Sequence, residues 1–278
     1  MQYLAGIRNA FRQRIDCREW LFPYQKILKR NIMRNFIGTL IFLLTSSFST
    51  LSQGNDIEQG IYELNRGEFH AAIEQFRPLV AEGYAPAQYQ MALVYQNGYG
   101  VTKDGMKALT LFELAAEQNY SDAQFELALI YTEGKLVKQD LTKAYQLTFQ
   151  AAKKGLASAQ YNLAVMFANG TGVVQDDFKA SRWYKSAAEQ NHALAQFNLA
   201  LLYSEGKGVE KSTEMSLVWN TIASWNGYPD ANTSRILDER ELSRVKIDAA
   251  QEQANIMYKK IVGQETLKAE MAKKNDLY

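Results

Sequence analysis

The sequence predicts an all-α solenoid, a row of helix pairs stacked one on the next, and three observations carry that prediction. Slid against itself, the chain repeats: APAQYQMALVYQNGYGVTKDGMKALTLFELAAEQNY begins at Ala85, and its echoes begin at Ser121, Ala157 and Ala193, each 36 residues further on. A fixed period in this range is the signature of stacked supersecondary units. Within each unit the apolar residues show no strand alternation and cover nearly every direction of a helical wheel. Glycine, asparagine and aspartate recur where helices must start and stop.

The elements follow in chain order. Residues 1–32 carry seven basic side chains against Asp16 and Glu19 and share no position with the repeat, so they read as an upstream extension without defined structure. Residues 33–52, MRNFIGTLIFLLTSSFSTLS, have the order of a secretory signal: a charged start at Arg34, an apolar run from Phe36 to Leu44, and a small-x-small site at Thr50-Leu51-Ser52. A cleaved signal fits best, because the run is too short to span a bilayer comfortably; an uncleaved anchor and a buried core segment are the alternatives. Met33 is a second candidate start. Cys17, the only cysteine, lies in the extension, so residues 53–278 have no disulfide framework to stabilise them.

Residues 53–84, with GEFHAAIEQFRPL, read as a helical hairpin capping the array, with Pro78 late in its second helix. Residues 85–228 form four units, 85–120, 121–156, 157–192 and 193–228. The first helix of each carries alanine at Ala87, Ala123, Ala159 and Ala195, then glutamine at Gln88, Gln124, Gln160 and Gln196, then alanine again at Ala92, Ala128, Ala164 and Ala200. It ends at Gly98, Gly134, Gly170 and Gly206. Asp104, Asp140, Asp176 and Ser212 stand where the second helix begins, and each is a good N-cap type. The second helices stop at Gly83, Asn119, Gly155, Asn191 and Gly227, the two residue types that enter the left-handed C′ conformation most cheaply. Residues 229–278 follow as closing helices, since a solenoid needs terminal units with a polar outer face.

The stretch ANGTGVVQDD, Ala168 to Asp177, resembles a phosphate-cradling loop. Gly170 and Gly172, however, match Gly98 and Gly100 as well as Gly206 and Gly208, no strand leads into any of them, and no Lys-Ser/Thr follows. They are turns, and Asp176 is a cap.

The run A-x-A-Q-Y-x-L-A-x-x-Y/F-x-x-G-x-G-V-x-x-D-x-x-K-A-x-x-W-x-x-x-A-A-E-Q resembles the Sel-one-like repeat, a relative of the tetratricopeptide repeat. Residues 157–192 fit it almost throughout, and the likeness covers residues 85–228. Two departures stand out: Leu136 replaces the second glycine, and Met215 replaces the lysine. The resemblance implies a right-handed alpha-alpha superhelix whose first helices line a concave face that holds peptides or partner proteins.

Sites for chemistry are sparse. The two histidines, His70 and His192, form no ligand cluster or triad pattern with other residues, and no cofactor or metal is expected. From Gln53 onward 23 basic residues face 28 acidic ones, which argues against a nucleic-acid surface. Some cysteine-rich members of the resembled family have been credited with beta-lactam hydrolysis, and S-x-x-K occurs at Ser204 to Lys207 and Ser243 to Lys246. Ser204 ends a helix instead of opening one, and Ser243 is better read as an N-cap. The binding candidates are two rows on the first helices. The aromatics Tyr89, Phe125, Tyr161 and Phe197 can serve the core or a partner, and the polar residues Gln90, Glu126, Asn162 and Asn198 can be plain solvated surface or contacts to a bound chain. The expectation is a non-catalytic protein-interaction scaffold, exported and periplasmic, touching the membrane only through its signal. A cell-envelope hydrolase and a secreted effector contacting host proteins are the alternatives.

Overall fold

The computed structural model describes residues 56–275; the expected extension 1–32 and signal 33–52 lie outside the described residues. Among the described residues all regular structure is helical, in twelve helices. Helices α1 (56–65) and α2 (Phe69–Ala81) form the opening hairpin, with Pro78 inside α2. Four pairs follow: α3 (Ala85–Asn97) with α4 (Gly105–Glu117), α5 (Ser121–Glu133) with α6 (Leu141–Lys153), α7 (Ala157–Asn169) with α8 (Asp177–Ala188), and α9 (Ala193–Glu205) with α10 (Thr213–Trp225). Helices α11 (Pro229–Glu241) and α12 (Arg244–Asn275) close the array. From α2 to α11 each helix packs chiefly on its chain neighbours, as in a solenoid, and α12 folds back on α10.

The helix boundaries have the chemistry that the sequence advertises. Asp104, Asp140, Asp176 and Ser212 each accept a hydrogen bond from the backbone N–H three residues on, at 2.9–3.1 Å. The only non-glycine residues with positive φ among those described are Asn119 and Asn191, both at second-helix ends. The alanines of the first helices are the contact layer: Ala87, Ala123, Ala159, Ala195 and Ala231 are fully buried, as are Ala92, Ala164 and Ala200, and Ala128 is nearly so. With only a methyl group there, neighbouring backbones approach closely.

The turn between the helices of a pair also touches the preceding repeat, and this explains the first departure. A Cβ placed on Gly172 would lie 2.2 Å from the Leu141 carbonyl oxygen at the start of α6, and one on Gly208 would lie 2.0 Å from that of Asp177 at the start of α8. In the second repeat this position is Leu136, and the residue beneath it, at the start of α4, is Gly105. Side-chain volume has moved from one partner to the other across the same contact. Met215 has a similar reason. In the first three repeats a lysine ammonium lies over an aromatic ring of the first helix: Lys107 on Tyr95 at 5.2 Å, Lys143 on Tyr131 at 4.1 Å, Lys179 on Phe167 at 5.3 Å. In the fourth, α12 packs on α10 and the Gln253 amide reaches the Met215 sulfur at 3.5 Å. A cation there would lose solvent, so a soft apolar side chain is preferred.

A pair of side chains staples each junction between repeats. The amides of Gln124, Gln160 and Gln196 donate to the carbonyls of Ala116, Ala152 and Ala188 in the preceding unit, at 3.1–3.4 Å. Their oxygens in turn accept from the residue 30 positions on: Lys154 at 3.3 Å, Gln190 at 2.8 Å and Asn226 at 2.9 Å. Gln118 binds Gln88 in the same way at 2.8 Å. These four glutamines are at most 7% exposed, and a buried amide is tolerable only when both ends are satisfied.

Candidate functional site: the first-helix face

The two rows of binding candidates lie on the first helices α3, α5, α7 and α9, and all eight side chains are partly exposed. The aromatics are anchored from behind. Tyr89 tilts against Phe112 and Tyr120 with ring centroids 5.8 and 5.3 Å away. Tyr161 packs on Tyr184 at 5.8 Å and stacks on His192 at 4.7 Å with an interplanar angle of 14°. Phe197 sits against Tyr228 at 4.8 Å, and Phe125 packs on the buried cluster of the later repeats. Each ring gives one side to the fold and the rest to the surface.

The structure joins the two rows into one. The Asn198 amide donates to the Tyr161 hydroxyl at 3.5 Å, across the boundary between repeats and 37 residues away in sequence. Glu126 stands at the same 37-residue offset from Tyr89; burial first, and then the Glu126 charge, push the Tyr89 hydroxyl above the usual phenol range. Glu126 is itself pushed above the ordinary carboxylate value, first by burial and further by Asp122, while a hydrogen bond with Gln96 opposes the shift. One more step of 37 residues leads from Phe197 to Ser234 on α11, and these two line a common pocket. The face is thus a sequence of aromatic and polar rungs running across the repeats, with carboxylates at Asp122 and Glu126.

His192 has two roles that sequence did not give. Its Nδ1 accepts the Ala195 N–H at 3.2 Å, making it the N-cap of α9, and its ring forms the stack on Tyr161. Burial lowers its pKa, which favours the neutral ring that can accept this bond. The S-x-x-K matches do not assemble a nucleophile and base. The Ser204 hydroxyl donates to the Leu201 carbonyl at 2.9 Å while Lys207 pairs with Glu205 at 2.8 Å. Ser243 directly precedes α12, its carbonyl accepting the Ile247 N–H, and Lys246 pairs with Glu214 at 2.6 Å. Among the described residues no three His, Cys, Asp or Glu side chains converge as metal ligands, and no helix is long and apolar enough to cross a membrane.

With repeat geometry and face in view, comparison with known proteins is decisive for the family. The family model of the Sel1 repeat matches residues 85–120, 121–156, 157–192 and 193–223, half of the chain. The chain belongs to the Sel1 repeat family. Among solved Sel1-type structures it is similar to a protective antigen of uropathogenic Escherichia coli with an SLR fold, at 29% identity and a TM-score of 0.64, over 80% of this chain and 49% of that one. The chain therefore spans about half the length of that antigen. A Sel1 repeat protein of Oxalobacter formigenes superposes with a TM-score of 0.62 at 24% identity, over 74% of this chain and 84% of that one, a likeness of fold. Comparison with curated proteins returns no match. Sel1 repeat proteins are generally non-catalytic and act as protein-interaction scaffolds.

Proposed function

We propose that this Sel1 repeat protein is a non-catalytic scaffold of the cell envelope, exported to the periplasm, that holds an extended segment of a partner protein along its first-helix face. The observation that carries the reading is the joined row: Tyr89, Phe125, Tyr161 and Phe197 beside Gln90, Glu126, Asn162 and Asn198, partly exposed and recurring once per repeat. Amide side chains offer both a donor and an acceptor, so they can pair with the main chain of a segment while the rings take its apolar side chains. The signal-like order of residues 33–52 supports export.

The test combines crosslinking in the native cell with variants. A partner captured on wild-type protein is titrated against Asn162→Ala/Asn198→Ala. Loss of two hydrogen bonds at about 1 kcal/mol each predicts at least about tenfold weaker binding. The melting temperature should be nearly unchanged. Unchanged affinity in the folded double variant would remove this face from consideration. Recovery in the cytoplasmic fraction alone would remove export.

A further inference from the structure

The row of rungs ends at α11 in a pocket that the repeat pattern does not explain. Its volume is about 260 Å³, and it lies between α9 and α11 over α10, with Phe197, Leu201 and Leu237 on its walls and Ser204 and Ser234 beside them. Its floor is Ser216, Asn220 and Asp238. At the Asp238 position every earlier first helix has an apolar residue: Val94, Ile130, Met166 and Leu202. Ser216 likewise stands where Ala108, Ala144 and Ala180 stand, and Asn220 where Phe112, Thr148 and Tyr184 stand. Polar side chains have been put in at three facing positions, at this junction alone of those between the four repeats and α11.

The cluster is buried and incompletely satisfied. Asp238 is 8% exposed and Asn220 2%. The Asp238 Oδ2 accepts from the Ser216 hydroxyl at 2.9 Å and from the Asn220 amide at 2.8 Å, both neutral donors. The Asn220 Oδ1 is buried and has no hydrogen-bond partner. The charges that act on Asp238 from Glu239 and Glu241 are negative too, and burial is the main cause that holds its carboxyl above the ordinary range. A buried carboxylate and a buried orphan acceptor at one pocket are costly unless something donates to them. The volume is below the range of pockets for whole drug-sized ligands. It equals the liquid volume of roughly eight or nine waters, which suits one long side chain. Apolar walls above an anionic floor match an aliphatic stem with a charged head.

We propose that this pocket receives a basic side chain, lysine or arginine, of the segment held on the first-helix face, with Asp238 and the Asn220 Oδ1 as acceptors of its N–H donors. The proposal rests on the partner-binding reading above and adds the chemistry of one anchor residue. Phe197 and Ser234 belong to both the row and the pocket, so a chain on the rungs reaches the pocket without a break.

Four fluorescent peptides of otherwise alanine and glycine sequence, with lysine, arginine, norleucine or glutamate at the centre, are titrated against the full chain by anisotropy. A basic peptide should bind at least about tenfold tighter than the norleucine peptide, the scale of one buried charge-assisted contact. Asp238→Asn should bring that ratio to within about twofold. Ser234→Leu narrows the pocket without touching the three floor residues, so it tests the site even if Asp238→Asn fails to fold; it should weaken the basic peptides with little change in melting temperature. Equal affinity for lysine and norleucine, or no lysine-dependent binding, overturns the proposal. Displacement of the lysine peptide by n-butylammonium as effectively as by unlabelled peptide would assign the pocket to free amines and overturn the anchor role. The two readings fail separately. If Asn162→Ala/Asn198→Ala leaves all four peptides unaffected while the lysine preference persists, the row fails and the pocket stands. If it weakens all four alike and no lysine preference exists, the pocket fails and the row stands.

Discussion

Replacing Gly172 by alanine tests how the repeats are held in register. The residue has φ +70°, and the added Cβ would meet the Leu141 carbonyl oxygen at 2.2 Å and its carbon at 2.8 Å. Two costs combine. A left-handed conformation costs an alanine about 1–2 kcal/mol. The overlap adds about 1–3 kcal/mol, the range for forced backbone shifts, because a carbonyl fixed in the first turn of α6 cannot rotate away as a side chain can. The total is roughly 2–5 kcal/mol, a large share of the stability of an ordinary domain. Gly155 is the control: φ is +93° but nothing lies within 4 Å of its would-be Cβ, so Gly155→Ala should lose only the conformational term of about 1–2 kcal/mol. Gly105→Ala is a second control, since its Cβ would meet only a rotatable methyl of Leu136 at 3.0 Å, and it should be nearly neutral. Urea unfolding of the three full-length variants, followed by far-ultraviolet circular dichroism, gives the comparison. Two probes should be overlaid, because repeat arrays can lose two-state behaviour. Equal losses for Gly172→Ala and Gly155→Ala would refute the claim that the turn is wedged against the preceding repeat.

Three further outcomes are expected. Ala164 is fully buried between helices, so Ala164→Leu should cost about 1–3 kcal/mol by overpacking, and an unchanged urea midpoint would mean that the helix approach is looser than described. Gln160→Leu removes the donor to the Ala152 carbonyl and the acceptor for Gln190 while keeping most of the volume; that carbonyl retains the Gly155 N–H and Gln190 retains the Gly155 carbonyl, so the loss should be about 1–3 kcal/mol in the same assay. For Glu126 the sign follows from its raised pKa: the folded state holds the proton more tightly than the unfolded chain, so this group's contribution is most favourable below the ordinary value of 4.5 and declines as pH rises through the folded value. Glu126→Gln should therefore match wild type at about pH 4 and become relatively more stable towards about pH 7, and a gap that shrinks as pH rises would contradict the burial of this carboxyl.

Sequence alone determined the all-helical class, the 36-residue period, the caps at Asp104, Asp140, Asp176 and Ser212, and the left-handed ends at Asn119 and Asn191, because each depends on backbone chemistry within a few residues and repetition displays it several times. It also placed the aromatic and polar candidates on the first helices, as two separate rows. Their union could not be read, since Asn198 meets Tyr161 and Glu126 acts on Tyr89 across 37 residues, one more than the period, and that offset exists only once neighbouring repeats have docked. The exchange of volume between Leu136 and Gly105 and the shielding of Met215 by α12 were hidden for the same reason: in sequence they are isolated departures, and in the fold each is one side of a contact. The amide staples at Gln88, Gln124, Gln160 and Gln196 were visible as a recurring residue type without a purpose. Asp238 lies beyond the last matched repeat, where one more carboxylate in a polar helix gives no signal; only the packing of α11 on α10 buries it beside Ser216 and Asn220, and burial is what turns an ordinary surface residue type into a candidate anchor.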